Sequence, residues 1–181
     1  MSNLRKSVTA SMLIALCVVL PMAFHSIPRA GAVLMPMHIP VLLAGLICGP
    51  LFGLIVGVSG PLLSHFMTGM PPVGVYPVMM IELGTYGLVA GFMVKLIHTR
   101  RISVDLYISL IVAMLAGRVV AGFAQAIYFF DGAYAIGLWT TSYFVTSVPG
   151  IVIQLLFVPS VVIALERERV IPLRYPISAG A

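Results

Sequence analysis

The chain has 181 residues, 61% hydrophobic and only 8% charged, with a mean hydropathy of +1.14; soluble domains carry about 25% charged residues, so this composition describes a membrane protein. Its net charge of +5 does not point to nucleic acid, because the cations flank apolar runs instead of lining a polar face. Two cysteines, Cys17 and Cys48, fall inside apolar runs and read as small packing residues rather than as a disulfide.

The first apolar run, Val8–Phe24, follows Arg5-Lys6 and lacks a small-x-small cleavage site, so it is expected to stay as a membrane span. The second, Val33–Met67, would make about 52 Å of helix against a hydrocarbon core of roughly 30 Å. Gly49-Pro50 cuts it near the middle, with glycine suited to end one helix and proline to begin the next. Further runs cover Pro77–Ile97, Val104–Phe130 and Tyr143–Leu165. Splitting the second run gives six spans, about 8–24, 33–48, 50–67, 77–97, 104–130 and 143–165.

Charge favours the split. With six spans and the amino terminus inside, Arg5, Lys6, Lys95, Arg100, Arg101, Arg167, Arg169 and Arg174 are all cytoplasmic, and Arg29 alone is outside. Five spans would place the Lys95/Arg100/Arg101 cluster outside. The expected fold is therefore all-α, a single membrane domain over 1–181, a six-helix bundle with both termini cytoplasmic. The short second span, with Pro36 and Pro40, is expected to be irregular near its outer end, which protein or a cavity must cover. Three connections face outside: His25–Ala32, Thr68–Tyr76 (TGMPPVGVY) and Asp131–Ser142. Tyr128, Phe129, Phe130, Tyr143 and Phe144 flank the third. They read as an interfacial belt or as platforms for a flat ligand ring.

The stretch GVSGPLLSHF, residues 57–66, contains a Gly-x-Ser-Gly turn of the kind intramembrane serine proteases use. A serine nucleophile needs a base within hydrogen-bond reach. His65 lies six residues beyond Ser59, about 240° round the same helix, and no later span supplies a histidine. The glycines instead read as packing devices: Gly53/Gly57 and Gly87/Gly91 are GxxxG pairs, and Ala113, Gly117 and Ala121 repeat the pattern.

Glu82 and Arg118 are the informative charges, since each costs about 2.5–3.5 kcal/mol in a span. Two compatible readings follow: they pair and lock neighbouring helices, or they line a polar cavity open to the outside. Gln125 shares a face with Arg118, and His38, Ser64, His65 and Gln154 lie toward the same side, together suggesting a wet pocket beneath the outer loops. There is no GxxxxGK[ST] phosphate loop and no set of buried carboxylates for a proton relay. Such a chain can bind a solute but needs a partner to move it.

The stretches PMHIPVLLAGLICGPLFGLIVGVSGPLLSHFMTGMPP and IELGTYGLVAG, with the length and six-span pattern, resemble the substrate-binding S components of energy-coupling factor (ECF) vitamin transporters. The resemblance extends over nearly the whole chain and is to the branch that includes predicted pantothenate, pyridoxine and corrinoid-precursor carriers. It implies a multi-pass protein of the prokaryotic plasma membrane, without catalytic activity or a cofactor of its own. Such a protein captures one small water-soluble vitamin or precursor from outside. It then docks on a membrane coupling subunit driven by two cytoplasmic ATPases, which consume the ATP, and releases the substrate inside. The candidate substrate contacts are Arg118, Glu82, His38, His65, Gln125 and Gln154. The family's Ala-x-x-x-Ala docking motif corresponds to Ser11 and Ala15, in SMLIA. The competing readings are a stand-alone permease, against which the lack of an internal repeat counts, and a hydrolase using Ser59 or a His38/His65/Glu82 metal group, for which no HExxH-like spacing exists.

Overall fold

The computed structural model describes residues 1–24, 30–128 and 136–172. Its helices are α1 (Asn3–Ala23), α2 (Ala30–Leu34), α3 (His38–Cys48), α4 (Pro50–Thr68), α5 (Tyr76–Leu96), α6 (Ile102–Tyr128), α7 (Ile136–Thr140) and α8 (Val148–Arg167), with a π-helical turn over Thr141–Thr146 before α8. Five of them, α1, α4, α5, α6 and α8, are long and apolar enough to cross a membrane. The eleven residues of α3 reach only about 16 Å, roughly half the hydrocarbon core.

Local sequence explains these boundaries. Gly49 takes φ +99°, a conformation that favours glycine, and Pro50 occupies the first turn of α4. The chain therefore breaks at the expected Gly49-Pro50 step. The helix expected over 33–48 is itself interrupted: Met35 adopts φ 47°, and Pro36 cannot supply an N–H to continue α2. At the last span the helix proper begins at Val148, later than position 143, because the Thr141–Thr146 turn is underwound into π geometry and Pro149 sits in the first turn of α8. The expectations for Arg29, Arg174, Phe129, Phe130 and most of the first and third outer connections fall outside the described residues.

Glycine sets the spacing of α3, α4 and α5. A Cβ at Gly45 or at Gly53 would overlap the Gly87 carbonyl, one at Gly57 would overlap the Leu83 carbonyl, and one at Gly91 would lie 2.5 Å from the Pro50 nitrogen. The two GxxxG pairs thus face each other, backbone against backbone. On α6, a Cβ at Gly117 would overlap the Tyr86 ring, so that glycine is the slot that receives the tyrosine. Leu42, Leu83, Tyr86, Leu110 and Val158 form the enclosed core, whereas Leu4, Met12, Phe66, Phe92, Phe123 and Leu156 are exposed. Large apolar side chains on the outside of the bundle are the surface that lipid covers.

The two ends differ. One gathers Arg5 and Lys6, Lys95 (its Nζ 3.5 Å from a Cβ built on Gly49), Arg100, Arg101 and Arg167. There the α5–α6 turn is tied by Asp105, fully buried, which accepts from the Thr99 backbone N–H at 2.9 Å and from Thr99 Oγ1 at 2.6 Å. The opposite end, where α1 finishes and α3 and α5 begin, is hollow.

Candidate functional site

The hollow is a cavity of about 450 Å³. Its walls come from the end of α1 (Pro21), the α2–α3 break (Met35, Pro36, Met37), the α4–α5 connection (Met70, Pro71, Pro72), the first turns of α5 (Val78, Met79), and the π-helical turn (Ser142, Tyr143) with Ser147 just beyond it. His38, Glu82 and Gln125 are the expected site residues that line it.

These polar groups form one connected arrangement. Gln125 Nε2 donates to the Tyr143 hydroxyl at 3.1 Å, and that hydroxyl donates to Glu82 Oε2 at 3.3 Å. Glu82 Oε1 lies 3.6 Å from His38 Nε2, an ion-pair distance longer than a hydrogen bond. Both His38 ring nitrogens are buried without a hydrogen-bond partner. Each residue is placed by its element. His38 opens α3 directly after the Met35–Met37 break, Glu82 lies early in α5, and Gln125 lies near the end of α6.

Arg118 is 3% exposed and does not line the cavity. Its Nε donates to the Tyr86 hydroxyl at 3.0 Å, and its guanidinium carbon lies 5.5 Å from the centre of the Phe144 ring, within cation–π range. Tyr86 in turn meets the His38 ring edge-on, with centroids 5.2 Å apart. Of the two readings open for Glu82 and Arg118, direct pairing is not what the structure shows. The acid engages His38 and Tyr143, and the arginine braces two aromatic rings. Arg118→Met should therefore leave the folded yield intact, since it also removes a costly intramembrane charge. Its affinity for ligand should fall about three- to tenfold through loosened Tyr86 and His38. Comparing gel-filtration recovery with binding affinity checks this, and loss of folded protein would make the arginine a structural strut.

The remaining expected residues sit elsewhere. His65 Nδ1 donates to the Pro71 carbonyl at 2.6 Å, and the ring stacks on Tyr76 at 4.4 Å. Ser64 Oγ donates to the Met70 carbonyl at 2.8 Å. Both hold the cavity's proline-rich wall from behind. Gln154 is fully buried in α8, with neither amide atom hydrogen-bonded. Ser59 is half-buried on α4 and does not line the cavity. Among the described residues no group of three or more His, Cys, Asp or Glu is placed to hold a metal. Tyr86 is the site component that sequence reasoning missed. Tyr143, read from sequence as a belt aromatic or a platform for a flat ligand ring, contributes its hydroxyl to the polar arrangement.

Ser11 and Ala15 do not line the cavity and lie on an exposed face of α1, where Ser11 Oγ donates to the Ser7 carbonyl at 3.0 Å.

No curated protein and no solved structure shows significant similarity to the chain. A family model does, that of the ECF transporter substrate-specific component, and it matches residues 5–162. The match takes in α1 through most of α8, every long apolar helix and every described wall of the cavity. The chain belongs to the family of substrate-specific components of ECF transporters.

Proposed function

We propose that the cavity is the substrate site of this transporter subunit, and that it captures one small water-soluble vitamin or vitamin precursor from outside the cell. The observation carrying this reading is the cavity itself. Its volume of about 450 Å³ is in the range of small-molecule sites, and its apolar walls converge on a few placed polar groups, the usual composition of such sites. The pantothenate, pyridoxine and corrinoid-precursor branch suggested by the sequence is retained as the panel to test. The basic end faces the cytoplasm under the positive-inside rule, so the cavity opens outside. With α3 lining the bundle as a sixth, short, membrane-embedded segment, both termini lie inside and the whole chain works as one domain. Delivery requires docking, through the Ser11/Ala15 face of α1, on a coupling subunit with two ATPase subunits.

The test is native mass spectrometry of the full chain purified in mild detergent, paired with the Val78→Trp variant, whose indole would fill the cavity. A single co-purified mass in the vitamin range, absent from Val78→Trp, is the expected result. A ligand retained at equal occupancy by the filled variant would place the site elsewhere. Uptake by the chain alone, without ATPase partners, would favour a stand-alone permease.

A further inference from the structure

We infer that the cavity selects an uncharged ring compound through a group that both donates and accepts a hydrogen bond, and that it discriminates against carboxylates and phosphates. This inference rests on the cavity being the substrate site. It deepens that reading by naming what the site recognises.

Charge comes first. Among the described residues lining the cavity, Glu82 is the one formally charged side chain, and neither arginine nor lysine lines it. The nearby cation, Arg118, does not line the cavity: its Nε donates to Tyr86 and its guanidinium lies against the Phe144 face, while its Nη2 is buried without a hydrogen-bond partner. An anionic ligand would therefore meet a carboxylate of like sign in a largely apolar enclosure, where the repulsion is poorly screened.

The vacant hydrogen-bonding capacity comes second. His38 is 3% exposed, lines the cavity, and has no hydrogen-bond partner on either ring nitrogen. Buried polar groups are nearly always satisfied, so an unpaired imidazole beside a carboxylate marks a position that a ligand completes. Glu82 accepts. A neutral imidazole carries one N–H donor and one acceptor nitrogen. An alcohol, a phenol or the donor–acceptor edge of a nitrogen heterocycle satisfies both at once, donating to Glu82 and accepting from the His38 N–H. A carboxylate or phosphate dianion offers Glu82 no donor.

The walls come third. Met35, Met37, Met70 and Met79 surround the polar floor, and thioethers pack favourably on aromatic rings while adapting to their outline. Pro36 and Pro71 add rigid apolar surface. This lining suits a flat ring better than a flexible polar chain.

Matched ring probes that differ mainly in one group test the inference: pyridoxine against 4-pyridoxic acid, and nicotinamide against nicotinate. Affinities would be measured by calorimetry on the full chain in nanodiscs. The neutral member of at least one pair should bind, and bind at least tenfold more tightly than its acid. In Glu82→Gln, which keeps the shape and removes the charge, that ratio should shrink to threefold or less. Should that variant fold poorly, the same comparison on His38→Phe should show weaker neutral binding with discrimination against the acid retained. Tighter binding of any carboxylate than of its neutral partner would overturn the inference, as would absence of binding by every neutral member at millimolar concentration. Failure of the underlying site would look different, because binding of either kind would then survive Val78→Trp.

Discussion

Gly87→Leu should prevent the chain from accumulating as a folded protein, and even Gly87→Ala should lower its thermal midpoint by several degrees. A Cβ at position 87 would overlap the Gly53 carbonyl, and the reciprocal Cβ at Gly53 would overlap the Gly87 carbonyl and lie 2.7 Å from the Gly45 Cα. The atoms that would have to yield are backbone, so no side-chain rotation relieves the clash. Two helices must separate along their contact instead. In a bilayer little hydrophobic force brings them back together, because lipid tails are as apolar as the helices and association rests on close packing. Overpacking costs about 1–3 kcal/mol for small insertions and more for large ones, against a total stability of about 5–15 kcal/mol. Gly137→Ala is the matched control, since a Cβ there meets nothing within 4 Å. Thermal unfolding in detergent, followed by gel filtration, separates the outcomes. A Gly87→Ala midpoint equal to that of Gly137→Ala would show that the helices do not pack through this contact.

That contact was partly legible in the sequence. The pairs Gly53/Gly57 and Gly87/Gly91 announced close approach, although their spacing could not say that they approach each other. The Gly49-Pro50 break was legible because both residues carry their conformational preference in their own covalent structure. Glu82 stood out because a charge in an apolar run demands a reason. Its partners did not: Tyr143 lies 61 residues away, and a tyrosine near a span end is equally at home in an interfacial belt. Arg118 was visible for the same reason as Glu82, but nothing local says that its guanidinium turns onto Tyr86 and Phe144. Histidines were the least decipherable. His38 and His65 have similar positions in their segments, yet only the first follows a helix break that places it against the cavity. The second is used by the Pro71 carbonyl and the Tyr76 ring. Asp105 was passed over because a carboxylate near a charged end needs no explanation in sequence. In the fold it is enclosed and ties the α5–α6 turn.

The second large effect concerns delivery rather than capture. Ala15→Leu should reduce ATP-dependent uptake at least tenfold, in cells supplying the coupling subunit and both ATPases, while leaving ligand affinity of the isolated chain within twofold of the parent. Ser7, Ser11 and Ala15 follow one another at i, i+4 spacing on an exposed face of α1, beside exposed Val8, Met12 and Leu16. Among the long helices, α1 is also the least covered by the rest of the chain. A leucine at position 15 therefore projects away from the bundle. It costs no packing within the chain and is accepted by lipid, so capture is spared. A partner helix is affected differently. Small residues let two helix backbones approach closely in a membrane, and a bulky side chain placed between them holds them apart and forfeits the van der Waals contact that drives association. Val119→Leu, on an exposed face of α6, provides a control of similar chemistry that should transport normally. Full uptake by Ala15→Leu would move the docking face off this part of α1. Parallel loss of binding and uptake would mean that the α1 face supports the cavity from within. The proposed division of labour, with capture at the hollow end and docking along α1, requires the two properties to separate.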